Sequence, residues 1–190
     1  MRRAVPYLIG AFAVLAACGI GALAMVELGL FDVRASTPHS PLVAWATHTT
    51  MIHAVHDGAA TLPPPSPFSA AEARAGFAIY DRDCVTCHGG PGVARAAWAD
   101  GLTPSPPYLI DAPRHWTPRE LYFIIANGVK MTAMPAWSTV HTPAELRQLV
   151  AFLEAQPNLT ARDYLALRAE QASAPAVPAA TAVAPPPGAR

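Results

Sequence analysis

Lysine is almost absent from this chain: Lys130 is the one lysine among thirteen basic residues, set against thirteen acidic ones. Charged residues make up only 14 % of the 190, and the formal net charge is zero. A nucleic-acid binder needs a basic face to neutralise phosphates, so no nucleic-acid partner is expected. A disordered chain of the highly charged kind is excluded on the same ground. Cysteine is scarce as well. Cys18, Cys84 and Cys87 are too few and too odd in number to staple a small secreted fold, so they serve chemistry or burial. Strand-like alternation of apolar and polar side chains is missing throughout. What the chain does have is 52 % hydrophobic residues and 21 prolines, and these fall in different segments.

The first segment, 1–33, reads as a short cytoplasmic N-terminus and a membrane anchor. Residues 4–26 carry no charge, and as a helix they would extend roughly 35 Å, enough for a bilayer core. Arg2 and Arg3 precede the run while Glu27 and Asp32 follow it, so the positive-inside rule places everything after it outside the cytoplasm. Two other readings share that outcome. A cleaved signal peptide usually has a shorter apolar stretch. Leu15-Ala16-Ala17-Cys18 looks like the lipobox of bacterial lipoproteins, in which the cysteine is lipidated, although residues 19–26 stay apolar where such a protein usually turns polar.

Segment 34–67 holds an amphipathic helix over 42–56, with Leu42, Trp45, Ile52 and Val55 as its apolar stripe, and ends in the stiff linker Pro63, Pro64, Pro65 and Pro67. His48, His53 and His56 lie on that helix. His53 and His56 stand one turn apart, but no third ligand type is near in sequence, so an amphipathic helix lying on the membrane or on the next domain is expected rather than a metal site.

Segment 68–170 is the autonomous domain, and it is all-α. Four helix starts place a hydroxyl three residues before an acid: Ser69 and Glu72, Thr117 and Glu120, Thr142 and Glu145, Thr160 and Asp163. Pro118 and Pro143 occupy first helical positions, where a missing N–H costs nothing. Asn127-Gly128 stops the second helix. Between these helices, residues 89–113 are rich in proline and glycine, and a loop of that length is expected to pack on something other than protein. Segment 171–190, mostly Ala and Pro, reads as a disordered tail.

The chemistry sits in Cys84-Val85-Thr86-Cys87-His88. In a CxxCH run two thiols add across the vinyl groups of a haem, and the next residue, His88, is carried to the iron as proximal ligand. A thioredoxin-like redox pair would need a βαβ setting, and a structural zinc site would need a second pair of ligands. Iron then takes a sixth ligand from Met131, Met134, His115 or His141. Met134 precedes Pro135, which holds it in extended backbone on a loop, and it is the favoured candidate. A thioether favours ferrous iron, and filling the sixth position leaves no room for a substrate.

These residues, with Gly89-Gly90-Pro91-Gly92-Val93, with Pro106-Pro107-Tyr108-Leu109 and with the run from Asn127-Gly128 to Met134-Pro135-Ala136, resemble the mono-haem class I c-type cytochromes, most of all the membrane-anchored bacterial kind. The resemblance implies one haem c held through Cys84 and Cys87, with His88 proximal and Met134 distal. It implies that Pro107 offers its carbonyl to the proximal imidazole. It also implies that Gly76, Tyr80 and Cys84, four residues apart, lie on a helix whose glycine lets the C-terminal helix cross closely and meet it with Phe152. Trp98, Trp116, Trp137, Tyr122 and Phe123 are expected to fill the core, and Arg114, His115 and Lys130 to be solvated rather than held on haem propionates.

The function these features predict is an electron carrier rather than an enzyme. It would be held at the bacterial inner membrane with its haem domain in the periplasm, and would pass single electrons between redox proteins of a respiratory chain with no small-molecule substrate. The alternatives are the cytochrome subunit of a periplasmic dehydrogenase or oxidase complex, and a haem peroxidase. A peroxidase needs an open distal face with acid–base groups, which the Met134-Pro135 loop opposes. A haem sensor is disfavoured, because only two or three residues precede the apolar run to receive a signal.

Overall fold

The computed structural model describes residues 5–173, which divide between two units, Met1–Pro38 and His39–Arg190. In the first, α1 (Val5–Glu27) is one unbroken helix, long and apolar enough to cross a membrane. Its large side chains, Tyr7, Phe12 and Ile20 among them, are exposed all round. Such a surface calls for a solvent other than water.

The second unit begins with α2 (Pro41–Ala60), capped by Ser40 and opened by Pro41. It is longer than the expected helix, and its buried stripe is shorter. Val55 and Ala59 are buried, whereas Leu42 and Trp45 are 71 % and 65 % exposed. The cause is local. The buried residues of α2 lie in its C-terminal turns, which pack against the helix Pro118–Asn127. Gly58 permits that approach, since a Cβ there would stand 2.3 Å from the ring of Phe123. His56 pairs through Nδ1 with the buried Glu120 and lies 6.2 Å from Trp116, ring to ring.

Six further helices follow: α3 (Ala70–Asp83), the single turn α4 (Val85–His88), α5 (Ala112–His115), α6 (Pro118–Asn127), α7 (Pro143–Ala155) and α8 (Ala161–Ser173). Ser69–Glu72, Thr117–Glu120 and Thr142–Glu145 all form reciprocal capping boxes. Thr160 and Asp163 make the same exchange at the start of α8. No strand occurs among the described residues, only an isolated bridge between Gly90 and Val93.

The core lies where α3 crosses α7. A Cβ on Gly76 would stand 1.9 Å from the carbonyl oxygen of Gln148, so only glycine allows the two backbones to come this close. Phe152 fills the crossing, with its ring 5.4 Å from Phe77 and 5.0 Å from Tyr80. Tyr164 of α8 completes the cluster, edge-on to Phe77 at 5.1 Å. Trp116, Trp137 and Tyr122 pack against this core from its margins, but Trp98 departs from expectation and is 61 % exposed.

Residues 89–113 are less bare than expected. Short 3-10 turns form at Ala97–Gly101 and Leu109–Asp111, and the start of the loop packs on protein. A Cβ on Gly90 would meet the Tyr164 ring at 2.6 Å, and one on Gly92 would meet Ala161 at 2.7 Å. α8 therefore covers part of the surface that the sequence left open. It also runs to Ser173, into the stretch expected as tail; the remainder of that stretch lies outside the described residues.

Candidate functional site

Two cysteines and a histidine converge because α3 ends at Cys84, which is at once the C-cap of α3 and the N-cap of α4. Both thiols are free and partly buried. Burial, the Asp83 carboxylate and the neighbouring Cys87 push the Cys84 thiol up to about 12.

His88 closes α4, and Gly89 then turns the chain at φ +64°. The turn leaves the Gly89 carbonyl to accept a hydrogen bond of 2.6 Å from the buried hydroxyl of Tyr80. On the other side His88 Nδ1 lies 2.7 Å from the carbonyl oxygen of Pro107. A carbonyl can only accept, so Nδ1 carries the proton and Nε2 holds the free lone pair. Burial keeps the imidazole pKa below its ordinary value and the charge of Arg95 adds to that, against the opposing pull of Pro107. A neutral ring with one nitrogen tied and the other free is the form that ligates a metal.

Met134 sits opposite in sequence, on the loop after α6. It is half-buried and packs against the core. The Thr132 hydroxyl accepts a 3.1 Å hydrogen bond from its N–H, and its carbonyl accepts one of 3.2 Å from Val129. Gly128, at φ +65°, lets this loop fold onto the end of α6; a Cβ there would come within 2.5 Å of Pro135 and 2.7 Å of the Met134 carbonyl. The other three candidates for the sixth position are differently placed. Met131 is 88 % exposed at φ +62°. His115 is exposed. His141 is buried, but its Nε2 is 3.0 Å from Asp83 Oδ2 and its ring 5.6 Å from Trp137.

Arg114, His115 and Lys130 are exposed. A further basic residue, Arg95, lies within the loop that follows His88. Its side chain is 15 % exposed, its Nη1 donates to the Pro106 carbonyl, and its guanidinium covers the Tyr108 ring at 4.5 Å. Asp100 Oδ1 lies 2.6 Å from Nε but out of line with the N–H, so that buried donor makes an ion pair and no hydrogen bond. Position seven after His88, in a loop of small residues, was the only sequence signal for it. On α2, His48 and His53 are exposed and His56 is taken by Glu120. Among the described residues no group of three or more His, Cys, Asp or Glu is placed to hold a metal ion.

The donor set fits a covalently held haem: two free thiols three residues apart, an imidazole presenting Nε2, a half-buried thioether, and a largely buried arginine whose charge reaches the imidazole. Residues 71–153 match the family model described as cytochrome C oxidase, cbb3-type, subunit III. No curated protein and no solved structure matches the chain.

Proposed function

We propose that the protein, a c-type cytochrome by its domain at residues 71–153, is a membrane-anchored electron carrier with one haem c attached through Cys84 and Cys87 and ligated by His88 and Met134. When bound, the haem supplies one-electron chemistry through its iron. The chain's own residues do the rest. Pro107 holds the His88 ring in one tautomer, and Tyr80 holds the Gly89 turn directly after it. Met134, packed against the core on a loop pinned by Thr132 and Gly128, would supply the second ligand to the iron and leave that position closed to substrates. The apolar α1 serves as the anchor, and the arginines before it support a periplasmic haem domain.

The observation that carries this reading is the His88–Pro107 contact, which presents Nε2 from the residue directly after the second cysteine. Its test is carbon monoxide binding to the reduced protein. The wild type is expected to resist the gas, and Met134→Ala to bind it readily with a lowered reduction potential. A wild type that binds carbon monoxide readily, with Met134→Ala changing nothing, would sink the proposal.

A second reading draws on the description of the matched family, which is that of an oxidase subunit. The same domain would then pass electrons within a fixed complex in place of free partners. Co-purification from mild detergent separates the two: a stoichiometric larger oxidase or dehydrogenase favours the complex, and its absence favours the free carrier.

A further inference from the structure

The guanidinium of Arg95 lies inside the loop that carries the Pro107 carbonyl, and three contacts hold it there. Its Nη1 donates to the carbonyl of Pro106, the residue directly before Pro107. Its plane covers Tyr108, the residue directly after, at 4.5 Å. Its Nε is paired at 2.6 Å with Asp100, five residues further along the chain. Pro106 and Pro107 donate no backbone hydrogen bond, and neither has a side chain that can anchor it. The segment therefore depends on another residue for its position. Arg95 spans it from both sides with a rigid planar fork, which a lysine cannot reproduce.

We propose that Arg95 is a positioning residue for the proximal ligand: by clamping Pro106 and Tyr108 it fixes the Pro107 carbonyl between them, and through that carbonyl the orientation and electron donation of the His88 imidazole. The inference rests on the reading of His88 as an iron ligand. Its burial fits the role, since a surface arginine would hold the turn only weakly and would be screened by solvent. Asp100 is paired with its charge, and the clamp itself is one of geometry.

The test uses 15N-labelled ferrous holoprotein, in which solvent exchange of the His88 Nδ1 proton is followed by NMR. Arg95→Gln is expected to speed that exchange about tenfold at unchanged haem content and helix signal, and Arg95→Lys to fall between it and the wild type. Exchange within twofold of the wild type in Arg95→Gln overturns the proposal. If Arg95→Gln does not retain haem, the lysine variant is read by the same criterion. The second readout is the potential of the pair Arg95→Gln with Asp100→Asn, which leaves the net charge unaltered. A looser carbonyl makes the imidazole a poorer donor and favours ferrous iron, so the ferrous-to-ferric ratio at fixed ambient potential should rise about threefold, or about 28 mV at 59 mV per tenfold for one electron. A fall in potential would mean that Arg95 contributes charge and not position, and overturns the proposal. A wild type without a haem-shifted His88 Nδ1 resonance refutes the ligand assignment itself, an outcome separate from any result on Arg95.

Discussion

Gly76→Ala should be among the most damaging conservative changes in this protein, although it only adds a methyl group to a helix. The new Cβ would stand 1.9 Å from the Gln148 carbonyl oxygen, 2.4 Å from its carbon and 3.0 Å from Leu149 N. All three atoms are backbone in the middle of α7, so no side chain can swing away. Restoring ordinary contact means separating α3 from α7 by about 1.5 Å at their crossing, given optimal separations of about 3.5 Å. That movement would loosen Phe77, Tyr80, Leu149 and Phe152, each at 1 % exposure. Overpacking of this kind costs about 1–3 kcal/mol, and an unyielding backbone places it at the upper end. Alanine's better helix propensity returns at most about 1 kcal/mol. The net loss is about 2 kcal/mol, which for a domain of this size lowers the melting temperature by about 8–16 °C. Urea or thermal unfolding of the full chain in detergent, followed by far-ultraviolet dichroism, measures it. A variant within 0.5 kcal/mol of the wild type would mean that the crossing is not the close contact described.

Two more expectations concern the same domain. Tyr164→Ala removes a fully buried ring packed on Phe77 and Gly90 and should cost about 3–5 kcal/mol, whereas Tyr164→Phe loses only the 3.2 Å hydrogen bond to Asp81, about 1 kcal/mol; equal losses in denaturant unfolding would remove α8 from the core. Acid should destabilise the helix starts together. The Ser69 backbone N–H, with Arg147 beside it, holds Glu72 down to about 2, and the Thr142 N–H and the Thr160 hydroxyl lower Glu145 and Asp163 in the same sense. A carboxylate with a lowered folded pKa contributes stability that is fully present above its unfolded value of about 4.5 and is lost as pH falls through the folded one. Melting temperatures should therefore drop between about pH 4.5 and 2, less steeply in Glu72→Gln; an unchanged acid slope in that variant would exclude its cap as a contributor.

The helices of this chain were legible because their signals are local. A hydroxyl, three residues and an acid specify a capping box whatever surrounds it, and Ser69, Thr117, Thr142 and Thr160 each make one. The CxxCH run is legible for the same reason. What was not legible depends on partners distant in the chain. Leu42 and Trp45 carry the right periodicity for burial, but periodicity does not say how far along a helix its neighbour extends, and α6 meets only the end of α2 around Gly58. Arg95 gave no periodic signal, and its meaning appears only when Pro106, Tyr108 and Asp100 close around it. The proline loop read as uncovered because α8, lying beyond the residues of the resemblance, could not be seen to fold back onto it.

α8 and Arg95 together make the two sides of the proposed haem site unequal. On the His88 side the backbone is restrained from several directions: Tyr80 holds the Gly89 carbonyl, Gly90 bridges to Val93, Tyr164 and Ala161 cover Gly90 and Gly92, and Arg95 clamps the turn that faces the imidazole. These contacts come from α3, the loop and α8, so no single local opening releases them all. On the Met134 side the restraints are local. Val129, Thr132 and Met134 bond one another within six residues, and Gly128 binds the loop to the end of α6, while the neighbouring Met131 is exposed in a left-handed conformation. Local openings begin where few buried contacts must break, so the methionine loop is expected to open before the histidine turn. On the proposed ligation, His88 would therefore stay in place through thermal fluctuation, and any access to the iron would be expected from the Met134 side.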